Sequence, residues 1–347
     1  MKNETYISLH LMRGFLVIDN KKMKKFFIKL AKLLGYEIID QNKFVSPTLE
    51  KNLNEDLSFI NKKSIVLPLG EVKVTKKVSS VLIIFRTNTD IEIWDQNKKR
   101  LFEEPKIEYS IRSFSSLINS VNFCKTKYQN IQFKIIIVDD KSKDENLNKF
   151  KKIIDKNNLD ISITSLDHNK YKDTIKKQKN DQTFSNLASL LQSFELAKEN
   201  SEDLVFFVED DYLHFEPMME EMIASYERIA SQIDNDIFMC PADYPYLYMN
   251  NEKTNILIGN KRHWRTINKT LCTFMTTKAL LDKYWDNFYN TCLDRNDPFE
   301  KYLNEIYTKE FCISPLKSLS LHLTNVNSSY GLSPFIDYKK LWEENKY

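Results

Sequence analysis

Between residues 78 and 211 the chain repeats one pattern: a short stretch apolar at nearly every position, a polar stop, then a segment of helical periodicity. VLIIF at 81–85, FKIIIV at 133–138 and LVFFV at 204–208 are the clearest stretches, with a weaker one at Ile161 to Leu166. A strand that is apolar on both sides cannot leave one side in water. The pattern therefore predicts an α/β fold, a mostly parallel sheet flanked by helices. Tyr109 to Phe123 is the first of these helices, with Ile111, Phe114, Leu117, Ile118 and Val121 on one face. Phe184 to Ala197 is the second, and Pro217 opens a third, with Met218, Met222 and Tyr226 in one stripe. Further on, Ile237 to Cys240 and Thr270 to Thr276 read as strands and Lys278 to Phe288 as a helix.

In such sheets ligands bind beyond the carboxyl ends of the strands. Those ends here read Arg86-Thr87, Asp139-Asp140 and Glu209-Asp210-Asp211. Several carboxylates at one edge repel each other, and a divalent cation or a cationic ligand relieves the repulsion. Mn²⁺ and Mg²⁺ take oxygen ligands and commonly bridge one or two carboxylates to substrate phosphates. Glycine usage points the same way. Only 5 Gly occur, at 14, 35, 70, 259 and 331, so neither a dinucleotide fingerprint nor a glycine-lined phosphate loop can be written in this chain. A bound nucleotide would have to be gripped by side chains and a cation. Local readings compete: Asp139-Asp140 can be turn chemistry, and an acidic triplet can favour a helix N-terminus. Pro217, however, opens its helix six residues beyond Asp211, too far for a cap.

With these motifs in order, residues 78 to 330 resemble glycosyltransferases of the GT-A fold. FFVEDDY at 206–212 is similar to their acidic strand-end (DxD-type) motif, IIIVDDKSKDE at 135–145 to the second strand of family 2 members, and SLSLHLTNVNSS at 318–329 to their C-terminal Ser-Leu-x-x-His segment. The resemblance implies a metal-dependent enzyme that moves a sugar from a nucleoside diphosphate sugar, with a UDP-sugar favoured, to a hydroxyl on a glycan or lipid-linked acceptor, with inversion. It implies that Asp211 and His322 contact the metal, and that Arg86, Thr87, Asp139, Glu209 and Asp210 border the nucleotide. One of Asp297, Asp294 and Glu300 falls where the general base stands. Two positions depart from the pattern: Lys141 replaces a usual Gly, and RTNTD follows the first strand. His322 alternates with Leu319, Leu321 and Leu323, so its side chain should face away from them. In KRHWR, His263, Trp264 and Arg265 could stack on and clamp an acceptor, although Trp264 could equally be interior.

The first 77 residues fall outside the resemblance and read as a basic extension ahead of a catalytic domain over 78–347. Residues 1–76 hold 14 Lys/Arg against 8 Asp/Glu. Asn20 to Leu34 sets Met23, Phe26, Phe27, Leu30, Leu33 and Leu34 opposite Lys21, Lys24, Lys25, Lys29 and Lys32, with Gly35 as the stop. It is either a membrane-surface helix or one packed on the domain. No nucleic-acid-binding motif is present, and a net charge of +3 is far from that of a dedicated binder. Five scattered Cys without C-x-x-C spacing read as reduced, buried thiols. With no signal peptide and no long apolar run, they predict a cytoplasmic protein, peripheral at the membrane if the helix docks there. Two other functions use the same fold: a sugar nucleotidyltransferase, which usually carries a glycine- and lysine-rich first loop, and a non-catalytic glycan-binding scaffold.

Overall fold

A computed structural model describes residues 20–36, 38, 58–66, 70–90, 101–249, 253–324 and 329–347. The segments that would carry part of RTNTDIEIWD (91–95) and residues 325–328 of the C-terminal motif lie outside them. The chain divides into two compact units, residues 1–51 with 67–70, and residues 52–66 with 71–347.

Of the first unit, the helix α1 (Asn20–Leu33) is described. Gly35 ends it in the left-handed region at φ 80°, and the Tyr36 amide donates back to the Ala31 carbonyl at 2.8 Å. This is the closure that glycine makes cheap, and it is where the sequence placed the stop.

A small ribbon consists of β1 (Ser58–Phe59), β2 (Lys63–Val66) and β3 (Gly70–Lys73). Then come β4 (Ser80–Thr87), α2 (Lys106–Lys127), β5 (Gln132–Asp139), α3 (Asp144–Asp155), β6 (Asp160–Ser165), α4 (His168–Tyr171), α5 (Asp181–Asn200) and β7 (Leu204–Glu209). After these follow β8 (Tyr212–His214), α6 (Met218–Ile233), β9 (Phe238–Met239), β10 (Ile256–Ile258), β11 (His263–Ile267) and β12 (Phe274–Thr277). The chain closes with α7 (Lys278–Lys283), α8 (Trp285–Leu293), α9 (Lys301–Ile306), β13 (Cys312–Leu316), β14 (Ser320–His322) and α10 (Tyr338–Glu344).

Nine strands form the central sheet in the order β10-β11-β13-β9-β12-β7-β4-β5-β6. All run one way except β11 and β12, which are antiparallel to their neighbours. The mostly parallel α/β fold expected from the strands is thus the one formed. Alternation along β4 explains its apolar run: Val81, Ile83 and Phe85 enter one core with Phe114 of α2 and Phe150 of α3, while Leu82 and Ile84 enter the other with Phe194 of α5 and Phe288 of α8. Every described position of the expected α2 and α6 stripes is buried. All five cysteines are free and buried.

Two expectations shift. The helix expected over 278–288 breaks at Tyr284, whose φ of −110° leaves the helical region while its hydroxyl donates to Glu310 at 2.6 Å. The strand expected over 270–276 forms only from Phe274, and β11 lies earlier, over the KRHWR segment.

Candidate active site

The chain runs from β4 to β5 to β6 and then returns to place β7 on the other side of β4. The β4/β7 boundary is therefore the point where the strand order reverses, and in such sheets the ligand crevice lies outside the carboxyl ends at that point. Arg86 stands opposite Glu209 in the β4/β7 register, and Thr87 opposite Asp139 in the β4/β5 register.

Successive residues point to opposite faces, and this distributes the acids. On the α5 side, Arg86 Nη2 donates to Glu209 Oε1 at 2.8 Å, while its Nη1 donates to Asn186 Oδ1 at 3.0 Å and Ser189 Oγ at 3.1 Å. On the α2 side, Asp210 accepts from Thr87 Oγ1 (2.8 Å), Ser110 Oγ (2.6 Å) and Lys106 Nζ (2.5 Å). Asp140 accepts from Asn88 Nδ2 at 3.0 Å and lies 2.6 Å from His168 Nε2. Burial pushes the Glu209 carboxyl up, against the pull of Arg86.

Asp211 and His322 meet because β14 pairs with β8, setting His322 opposite Tyr212. His322 Nε2 is 3.2 Å from Asp211 Oδ2, Thr324 Oγ1 donates to the same oxygen, and the imidazole stacks on Tyr212 at 4.8 Å. The side chain faces away from the flanking leucines, as alternation required, and those leucines are core residues. Burial would raise the Asp211 carboxyl, but the His322 charge and hydrogen bond outweigh it and hold it well below the usual range. Burial would lower His322; Asp211 reverses this and raises it. His322 Nδ1 donates to the Tyr330 carbonyl at 3.0 Å. A carbonyl only accepts, so in the neutral ring Nε2 carries the lone pair and points it beside a carboxylate oxygen. That donor pair suits a divalent cation completed by phosphate oxygens. Among the described residues no group of three or more His, Cys, Asp and Glu converges on a metal position.

Asp139 ends β5 buried, with one oxygen accepting the Ser142 amide at 3.2 Å and the other, Oδ1, buried without a partner. Burial raises its carboxyl, with the Ser142 bonds opposing.

The three candidate bases separate. Asp294 accepts from Gln178 and Lys176 at the surface, and those bonds lower its carboxyl. Asp297 is exposed. Glu300, at the start of α9, is pushed up to about 7 by burial, with the Glu209 charge adding and His322 and Arg86 opposing. Charges of the acidic edge act on Glu300, whereas the causes of the Asp294 shift are local.

The expected acceptor cluster does not assemble. Trp264 is fully buried in the core, where its Nε1 lies 3.5 Å from Glu221 Oε1 and a Cβ on Gly259 would meet it at 2.3 Å. Strand alternation turns Arg265 away from it into a buried ion pair with Asp243, leaving His263 alone exposed. Interior packing is the reading that holds for Trp264. Conversely, Lys106, His168 and Thr324 were not among the sequence candidates. Lys106 left a signal, since it stands in the first turn of α2, where the helix dipole disfavours a cation. Thr324 lies two residues past His322 and so on its side of the strand. His168 left none.

No protein-family model and no curated protein matches this chain. Among solved structures, S. aureus TarS in complex with UDP-GlcNAc is similar at 15% identity, over 65% of this chain and 54% of that one, with a TM-score of 0.35. UDP-glucose pyrophosphorylase complexed with UDP-glucose is similar at 9% identity, over 78% and 97%, with a TM-score of 0.36. The galactosyltransferase LgtC with donor and acceptor sugar analogs is similar at 8% identity, over 65% and 70%, with a TM-score of 0.31. This chain spans about half the length of the TarS 1–349 chains. Likenesses at this level fix neither activity nor ligand.

Proposed function

We propose that the chain is a glycosyltransferase that moves a sugar from a nucleoside diphosphate sugar, a UDP-sugar by preference, to a hydroxyl of a glycan or lipid-linked acceptor. The observation that carries the proposal is the convergence, at the strand-order reversal, of Asp139, Glu209 and the Asp211–His322 pair with Glu300, whose carboxyl is held near neutrality.

In this reading the donor lies across the crevice with its base against Asp139. The unpartnered Asp139 oxygen is a buried acceptor for a base N–H. Asp211 and His322 are the residues that would hold Mn²⁺ or Mg²⁺, which when bound offsets charge on the diphosphate. Glu300 takes the proton of the acceptor hydroxyl. The oxygen then bonds to the anomeric carbon as the bond to the diphosphate breaks, and the electron pair leaves with the diphosphate. A carboxyl poised near 7 suits that task, because it is a stronger base than an ordinary glutamate and still about half ionised at neutral pH. Attack from the face opposite the leaving group inverts the sugar. Arg86 and Asp210 act indirectly: each is spent on a neighbour, Arg86 fixing Glu209 and Asp210 joining β7 to α2.

Calorimetric titration with UDP and GDP, with and without Mn²⁺, tests this. Metal-linked UDP binding, lost in Asp211→Ala, is expected. No nucleotide binding under any condition would overturn the proposal in favour of a glycan-binding scaffold.

A further inference from the structure

The apolar side chains of α1 are exposed. Phe26 is 63% exposed, Phe27 54%, Leu30 42% and Leu33 84%, and Leu34 just beyond is 67% exposed. The contrast with α6 is direct, since its apolar stripe of Met218, Met222, Ile223 and Ile229 is buried to the last residue. At 100° per residue the exposed apolar side chains of α1 fall on one arc, and Lys25, Lys29 and Lys32, also exposed, fall opposite. The helix sequence contains no acidic residue.

We infer that α1 docks the protein on an anionic lipid bilayer, lying in the plane of the interface with Phe26, Phe27 and Leu30 inserted. Fourteen residues reach only about 21 Å, short of the ~30 Å hydrocarbon core. No helix of the described residues is long and apolar enough to cross a membrane. The occupant must therefore offer an apolar layer and negative charge side by side. A bilayer with anionic headgroups offers both. Nucleic acid offers charge without an apolar sink, and a second copy of α1 would bring lysine rims together. Tyr36, 73% exposed just past the glycine stop, is an amphipathic ring placed for the headgroup level. This inference is independent of the transferase reading.

Flotation of the full chain with phosphatidylcholine vesicles, with and without phosphatidylglycerol, tests it. Binding to the anionic vesicles alone, weakened by salt, is expected. Phe26→Glu with Leu30→Glu should abolish it. Lys25→Gln, Lys29→Gln and Lys32→Gln together should lower the partition coefficient roughly 100-fold, at about 1 kcal/mol per lysine. All five side chains are solvent-exposed, so neither variant removes packing on which folding depends. Absence of binding, equal binding to neutral vesicles, or undiminished binding by either variant would overturn the inference. So would a dimer that Phe26→Glu with Leu30→Glu dissolves while vesicles are ignored, which would assign the face to a second copy.

Discussion

Two groups of buried acidic side chains differ in their partners. At the strand ends, Glu209, Asp210 and Asp211 each meet a cationic side chain from another element: Arg86, Lys106 and His322. On α6, Glu221 instead accepts the amides of Asn260 and Lys261 at 3.1 and 2.9 Å, and Glu227 those of Asn61 and Val78 at 2.7 Å each. Burial raises both α6 carboxyls. Main-chain amides cannot leave, so these acids are fixed struts that tie loops to a helix. Side-chain cations can be exchanged for a ligand or a metal ion. Partner type, more than burial, separates an acid that can do chemistry from one that holds the fold.

Asp211→Ala gives that contrast its largest test. If the strand-end acids are the working set, transfer should fall by about 10³-fold or more, the scale of losing one preorganised electrostatic group. Urea unfolding should show a smaller change, because Thr324 is part-exposed and His322, freed of Asp211, can stay neutral with Nδ1 still on the Tyr330 carbonyl. A variant that unfolds but keeps its specific activity would place Asp211 with the struts.

Glu221→Ala should do the reverse. It removes the carboxylate to which the Asn260 and Lys261 amides and the Trp264 indole donate in the interior, at a cost of about 3 kcal/mol in urea unfolding. Nucleotide affinity per folded molecule should be unchanged. A loss of affinity with intact stability would remove the distinction.

Glu300 and Glu227 are both held up to about 7, yet they should report through different observables. Glu300 must be ionised to take a proton, so kcat should rise with pH through about 7, and Glu300→Gln should abolish that limb. For Glu227 the folded value lies above its ordinary 4.5. Its contribution to stability is therefore present below about 4.5 and is lost as pH rises through about 7, by at most ~1.4 kcal/mol per pH unit. Urea midpoints measured across that window in Glu227→Gln should be flatter than in the parent, while the rate profile stays put. A displaced rate profile in Glu227→Gln would merge the two classes.

The strand-end acids were legible because β4, β5 and β7 are apolar on both faces, a pattern that depends on local sequence alone. His322 was legible through alternation, even though its partner strand lies more than a hundred residues earlier. The choice among Asp294, Asp297 and Glu300 was not, because seven residues of sequence hold all three and only the packing of α8 and α9 decides which is desolvated. KRHWR misled for a related reason. Cations beside an indole look like a binding surface until a strand's alternation is imposed, and a five-residue strand such as β11 leaves little periodicity to impose it with. Glu221 and Glu227 escaped notice because they accept loop amides, which have no sequence signature.

Lys141 gives the smallest and most local test. It follows Asp139-Asp140 at φ 60°, in the left-handed region that favours glycine, at the one position where the chain departs from the glycine of the resembling strand motif. The strained turn carries Ser142, whose amide holds one Asp139 oxygen, so the conformation serves the strand end and not the lysine. Lys141→Gly should relieve about 1 kcal/mol of backbone strain, offset in part by the greater freedom glycine has when unfolded. The thermal midpoint should move up by a few degrees at most, with nucleotide binding intact. Lys141→Val should move it down by more, since a β-branched side chain tolerates this region worst. Should Lys141→Gly instead weaken nucleotide binding with its midpoint unchanged, the lysine charge belongs to the crevice, and the acidic edge has one more cation than its own ion pairs account for.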